Sequence, residues 1–143
     1  MEIRFMQESD VEQVGALERE IFSKPWREKD FRDVLQKDDC IYFVAAEENI
    51  ILGYCGMWCV VGEGQITNVA VDPKYRKKQV GTKLLQAVLE EGQRRGNTEF
   101  TLEVRVSNHS AIALYQKFQF ENVGIRRKFY EEPTEDAIIM WKK

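Results

Sequence analysis

Three places in this 143-residue chain hold residues that could do chemistry: a basic loop at 76–82, a carboxylate at Glu103 and a tyrosine at Tyr115. The loop follows Val69, Ala70 and Val71, the end of a buried strand that Asp72 and Pro73 stop, since proline has no N–H for a ladder. After it, Val80, Leu84, Leu85, Val88 and Leu89 recur at helical spacing, and Gly96 stands where a C-terminal cap belongs. A loop turning from strand into helix points free N–H groups outward at the positive end of the helix dipole, which makes an anion site suited to phosphate. Arg76, Lys77 and Lys78 add charge there, and Gly81 has no side chain to keep the backbone from a bound phosphate. The pattern is neither the Walker nor the Rossmann one. On spacing alone, a solvated basic loop ahead of an ordinary helix fits equally well.

Around Glu103, residues Phe100, Leu102 and Val104 point one way while Thr101 and Glu103 point the other. A carboxylate in such a run is expensive unless it is solvated or used. Taken alone it reads as a strand residue paired with a nearby Lys or Arg. Tyr115 falls on the stripe Ala111, Leu114, Phe118 and reads alone as core packing. Asn108 is a good cap for that helix.

These residues need a frame to position them. Ile3 and Phe5 alternate as a first strand, and Ser9-x-x-Glu12 reads as the capping box of a helix with Val11, Val14, Leu17 and Ile21 inside. Ser23 to Trp26 restart the chain, with Pro25 placed for the first turn of a second helix buried through Phe31, Val34 and Leu35. Ile41–Ala46 and Ile50–Val61 are β-prone, with Gly53 and Gly56 as bulges or close-approach points. Gly62-Glu63-Gly64 turns the chain into the strand ending at Val71, giving an antiparallel meander. The strand-loop-helix then crosses over to Phe100–Val104, the length a parallel neighbour requires. Two closing strands, around Phe120–Val123 and Ala137–Trp141, flank an aromatic and acidic loop at Phe129–Pro133. The whole of 1–143 reads as one α/β domain with a mixed sheet.

A formal net charge of −3 argues against general nucleic-acid binding. No apolar run approaches a membrane span, and the first ten residues carry no signal-peptide pattern. Cys40, Cys55 and Cys59, with His109 the chain's one histidine, make a zinc site improbable and fit three free thiols in a reducing cytoplasm.

The loop Arg76-Lys77-Lys78-Gln79-Val80-Gly81 resembles the acetyl-CoA loop of the GCN5-related N-acetyltransferases, Arg/Gln-x-x-Gly-x-Gly/Ala. Gln79 replaces the first glycine; at a positive φ it carries roughly 1–2 kcal/mol of strain. Leu102-Glu103-Val104-Arg105-Val106-Ser107-Asn108, then Ala111, Leu114-Tyr115 and Phe120, is similar to the signature of bacterial ribosomal-protein-alanine N-acetyltransferases, the RimI type. Tyr130-x-x-Pro133 and Glu135-Asp136-Ala137-x-x-Met140 match the same family's tail; Phe22, Pro25-Trp26 and Phe31 match its head. Gln119 replaces a glycine after the last helix, and Phe129 stands where a second tyrosine is common.

The resemblance implies a mixed, mostly antiparallel sheet of about seven strands flanked by about four helices. It implies acetyl-CoA as co-substrate, no metal, and the N-terminal peptide of a ribosomal protein as acceptor, with no direct nucleic-acid or membrane partner and a monomer or weak dimer as the working state. By it Glu103 is the general base and Tyr115 the general acid toward the coenzyme A thiolate. The backbone of Val69–Val71 holds the acetyl and pantetheine end, Arg76 and residues 77–82 (Lys77, Lys78, Gln79, Val80, Gly81, Thr82) take the pyrophosphate, and Asn108 contacts the cofactor. Trp26, Tyr130 and Glu132 are candidates for the peptide groove.

An α-amine, with pKa ~7.7–8.0 against ~10.4 for lysine, asks less of a base. An unshifted glutamate near 4.3 is still ~3.5 units too weak, roughly 5 kcal/mol uphill for full transfer. Glu103 is therefore expected to be raised in pKa, or to act through water. Two other functions share these residues: acetylation of a small-molecule amine, and a non-catalytic acyl-CoA-binding module. Turnover of small amines alone marks the first, and cofactor binding without transfer marks the second.

Overall fold

Seven strands form one sheet in the order β1-β2-β3-β4-β5-β7-β6. The structure, a computed structural model, describes residues 1–76 and 78–143. In chain order β1 (Glu2–Phe5) leads into α1 (Val11–Ile21) and α2 (Glu28–Leu35). The meander β2 (Cys40–Glu47), β3 (Ile50–Val60) and β4 (Glu63–Val71) follows, then α3 (Val80–Arg94) crosses to β5 (Glu99–Arg105). The chain closes with α4 (His109–Lys117), β6 (Glu121–Tyr130) and β7 (Glu135–Lys142). The pairings are antiparallel except β4 with β5.

Apolar side chains cover both faces of the sheet. On one, α3 buries Val80, Leu84, Leu85, Val88 and Leu89 against Leu52, Cys55, Met57, Phe100 and Leu102. Each fully buried side chain of this kind contributes about 1.5–3 kcal/mol of transfer free energy. On the other, α1 and α2 bury Val11, Val14, Leu17 and Phe31 against Tyr42, Val44 and Tyr54. Cys55 and Cys59 pack on the same cluster, as their i, i+4 spacing in a strand requires.

Local capping departs from the sequence reading in three places. Ser9 lies in a 3-10 turn, and it is Asp10 whose carboxylate accepts the Gln7 N–H, 2.8 Å away, before α1. Pro25 precedes α2 rather than opening it; that helix starts at Glu28, with Asp30 accepting the Arg27 N–H at 2.9 Å. Glu63 and Gly64 already belong to β4, so the turn is Val61-Gly62, both at positive φ.

The closing hairpin also differs. β6 runs on to Tyr130, so Phe129 and Tyr130 are strand residues and the connecting loop is only 131–134. Between the pairs Arg126–Ala137 and Tyr130–Glu135 the register slips, and Lys128 takes φ 52° with its N–H on the Asp136 carboxylate at 2.8 Å. Such a bulge has no apolar periodicity to announce it. Both glutamines in family glycine positions are left-handed, Gln79 at φ 61° and Gln119 at φ 70°.

Two irregularities in the meander shape the site. Gly56 and Met57 pair with Asn68 and Ile66, which leaves Thr67 as an extra residue in β4. The Tyr42 ring lies across Gly56, where a Cβ would come within 2.2 Å of it, and its hydroxyl reaches Thr67 Oγ1 at 2.9 Å and Asn68 Oδ1 at 3.0 Å. Further, β4 and β5 pair only over Glu63–Gln65 and Glu99–Thr101. Beyond Gln65 the two strands part.

Candidate active site

The opening between β4 and β5 leads into a cavity of about 630 Å³. Val69, Glu103, Asn108, Tyr115, Trp26, Tyr130 and Glu132, all singled out from the sequence, line it. Ala70, Val71, Arg76, Lys78, Gln79, Val80, Gly81 and Thr82 do not; they continue along β4 into the start of α3. Lys77 lies outside the described residues.

Glu103 sits on the half-exposed face of β5, as the alternation requires. Its side chain is 33% exposed and its Oε1 lies 3.4 Å from Arg126 Nε on β6. The carboxylate is thus wet and already paired with a cation. Tyr115, by contrast, is 6% exposed and packs edge-on to Phe120 at 5.9 Å. Burial pushes its hydroxyl well above the ordinary tyrosine range, so it stays protonated at neutral pH. Because the shift is upward, full proton transfer to a thiolate is more uphill than the ordinary value near 10 implies, and hydrogen-bond donation is its better role.

Tyr130 is held from two sides. The Arg105 guanidinium carbon lies 4.4 Å from its ring centre. Burial first, and the Glu103 charge second, push its hydroxyl up to about 12, with Arg105 opposing. Arg105 also donates to the carbonyls of Glu131 at 3.0 Å and Pro133 at 2.9 Å, so it anchors the loop after β6. Phe129, in place of a second tyrosine, packs edge-on against Tyr130 at 5.0 Å and lines the cavity without a hydroxyl. Asn108 caps α4, its Oδ1 accepting the Ala111 N–H at 3.2 Å.

Two residues of the site carry no chemistry legible from the motifs. Glu18, 3% exposed on α1, accepts the Tyr54 hydroxyl and, at 2.9 Å, the Trp26 backbone N–H. An acid within the apolar stripe Val14, Leu17, Ile21 was its available signal. Arg126 gave none, because a basic residue on an edge strand is ordinary.

The start of α3 and the parted strand suit a phosphorylated, thioester-bearing ligand. The first backbone bond of the helix is Lys83 N–H to Gln79 C=O, which leaves the N–H groups of Val80, Gly81 and Thr82 without helical acceptors. A Cβ on Gly81 would meet only Leu114 at 3.4 Å and Val71 at 3.6 Å, so the protein's own packing does not demand glycine there. The edge of β4 past Gln65 has no strand partner on the β5 side.

A mixed sheet parted between its fourth and fifth strands, with a helix start whose free N–H groups suit an anion beside the gap, is the architecture of an acyl-CoA-dependent transferase. The chain belongs to the Acetyltransferase (GNAT) family, whose pattern matches residues 11–120, and it is an acetyl-CoA-dependent N-acetyltransferase. A Bacillus subtilis relative, provisionally named a ribosomal protein bS18-alanine N-acetyltransferase, is 37% identical over 140 residues, 97% of this chain and 93% of its own. The Escherichia coli ribosomal protein bS18-alanine N-acetyltransferase is 33% identical over 140 residues, 96% of this chain and 94% of its own. The crystal structure of the Escherichia coli ribosomal-protein-S18-alanine N-acetyltransferase superposes with a TM-score of 0.88 at 32% identity, covering 98% of this chain and 91% of that one.

Among the described residues, no group of three His, Cys, Asp or Glu side chains could hold a metal ion. No helix among them is long and apolar enough to cross a membrane.

Proposed function

We propose that this enzyme acetylates the N-terminal alanine amine of ribosomal protein bS18, by direct attack of the amine and without an acyl-enzyme. The observation that carries this is the convergence of Glu103 and Tyr115 on one cavity at the strand opening, in a chain whose near-full-length relatives are named for that activity. Acetyl-CoA supplies an acetyl group activated as a thioester.

In this reading the free edge of β4 at Val69–Val71 holds the acyl and pantetheine end, and Asn108 contacts the cofactor. The N–H groups of Val80, Gly81 and Thr82, with Arg76, Lys77 and Lys78, hold the pyrophosphate. Glu103 receives the ammonium proton, directly or through the water that its exposure admits. Tyr115 donates its O–H to the departing sulfur. Tyr130, Trp26 and Glu132 border the acceptor. Cys55, the buried thiol, is absent from the cavity lining, which favours direct attack over a covalent relay.

The working state is a monomer or weak dimer in the cytoplasm, with free thiols at Cys40, Cys55 and Cys59. A net charge of −3 favours a protein acceptor over direct contact with nucleic acid.

The test is mass spectrometry after incubation with acetyl-CoA and two peptides. One has the free N-terminal alanine of the ribosomal protein; the other is N-blocked with an internal lysine. Modification of the first alone is expected, with Glu103→Gln reducing kcat by roughly 10²–10⁴-fold. Equal modification of both overturns the N-terminal assignment. Turnover of small amines alone replaces a protein acceptor with a small one.

A further inference from the structure

A second cleft, of about 720 Å³, opens beside the acceptor cavity on the same face of the sheet. Trp26, Val34, Asp39, Tyr42, Trp58 and Thr67 form its walls. Trp26 and Thr67 line both spaces, so the two adjoin at these residues. Trp58 is 43% exposed, a large apolar residue left to solvent. It is not loose: its Nε1–H donates to Asp39 Oδ2 at 3.0 Å, which fixes the ring plane. Trp26 is fixed as well, by its backbone N–H on Glu18 and by its ring 6.2 Å from Tyr42.

The register sets how far this cleft lies from the chemistry. Trp58 pairs with Gln65, Gln65 with Thr101, and Glu103 stands two residues on from Thr101 along β5, all on one face. With strands about 4.8 Å apart and a rise of about 3.3 Å per residue, Trp58 and Glu103 are roughly 12 Å apart at their backbones. An extended chain covers that in three or four residues.

We propose that the Trp26–Trp58 cleft is a subsite for the acceptor peptide, taking an aromatic or large aliphatic side chain at its third or fourth residue. This rests on the peptide acceptor proposed above and adds a side-chain preference inside the sequence to the choice of terminal amine. Asp38 and Asp39 on the rim, against Lys37 alone, suit an acceptor that carries a cation next to that side chain.

The test uses hexapeptides with a free N-terminal alanine, identical except for phenylalanine or alanine at position 3 or 4. Initial rates are measured with the wild-type enzyme and Trp58→Ala. With the wild type, phenylalanine at one of the two positions is expected to raise kcat/KM roughly tenfold, mainly through KM. Trp58→Ala is expected to turn over the phenylalanine and alanine peptides at equal rates, and a thermal melt reports that it is folded. Equal rates for the wild type on both kinds of peptide overturn the subsite while leaving the proposed acceptor class standing. An undiminished phenylalanine advantage in Trp58→Ala also overturns it. Acetylation of no peptide by the wild type overturns the acceptor class and the subsite together. Should Trp58→Ala fail to fold, Trp58→Leu carries the same comparison: a diminished phenylalanine advantage supports the cleft, and an undiminished one overturns it.

Discussion

At the residue scale, the two groups that act on substrate in the proposed reaction sit in opposite surroundings. Glu103 is wet and paired with Arg126, while Tyr115 is buried and neutral. Glu18 lines the same cavity and braces Trp26. Its carboxylate is one acceptor for two donors, the Tyr54 hydroxyl and the Trp26 N–H. Glu18→Ala leaves a buried N–H without a partner and is expected to raise KM for peptide several-fold with kcat little changed, at a stability cost of about 1–3 kcal/mol. Glu18→Gln keeps a carbonyl for Trp26, and its amide can donate to the rotated Tyr54 hydroxyl, so most of the KM should return. Steady-state kinetics on both variants, with thermal melts, check this. Gln79 gives a prediction of opposite sign. Gln79→Gly removes roughly 1–2 kcal/mol of left-handed strain, less about 0.5–1 kcal/mol for glycine's greater entropy in the unfolded chain. A modest rise in Tm is expected by calorimetry, and a fall would show that the glutamine side chain makes a compensating contact.

At the element scale, the long amphipathic segments were legible because burial enforces their period. The apolar stripe of α3, the alternation Phe100, Leu102, Val104 in β5 and the meander β2–β4 all stand where their residues indicate. What escaped was set by single polar atoms. Asp10 rather than Ser9 organises the start of α1, since its carboxylate also reaches Arg4 at 2.7 Å. Burial alone would raise the Asp10 carboxyl, but the Arg4 bonds, the Gln7 N–H and the Arg4 charge together hold it below its ordinary value. A carboxyl lowered in the folded state stabilises fully above its unfolded value near 3.9, and the contribution fades as pH falls through the lower folded value. Asp10→Asn is therefore expected to cost about 1–3 kcal/mol at pH 7 and progressively less below pH ~4. Urea melts of both proteins across that range would show parallel curves if the ion pair were inert. In the site, Glu103, Arg105, Asn108 and Tyr115 stand in the quoted signature and line one cavity, whereas the contacts that Glu18, Arg105 and Arg126 make join elements distant in sequence.

At the scale of the whole molecule, neighbouring strands pair along most of their length, bulges aside, but β4 and β5 separate after Gln65 and Thr101. That gap has a thermodynamic consequence. A β-sheet with unpaired backbone groups along an interior strand is a partly unfinished lattice, and whatever pairs with Val69–Val71 completes it. In the proposed binding mode the co-substrate behaves as a structural strand as well as a reagent, and its binding is coupled to the order of the sheet's middle. At a concentration a hundred times its Kd, acetyl-CoA should stabilise the fold by about 2.7 kcal/mol. The Val69–Val71 amides should gain protection from hydrogen exchange beyond that of the outer strands β1 and β6. Uniform protection across all seven strands would mean that the ligand stabilises the fold globally without closing the gap. On this view the enzyme between turnovers is the less finished molecule, and each acetyl-CoA it captures supplies a piece of secondary structure that the polypeptide omits.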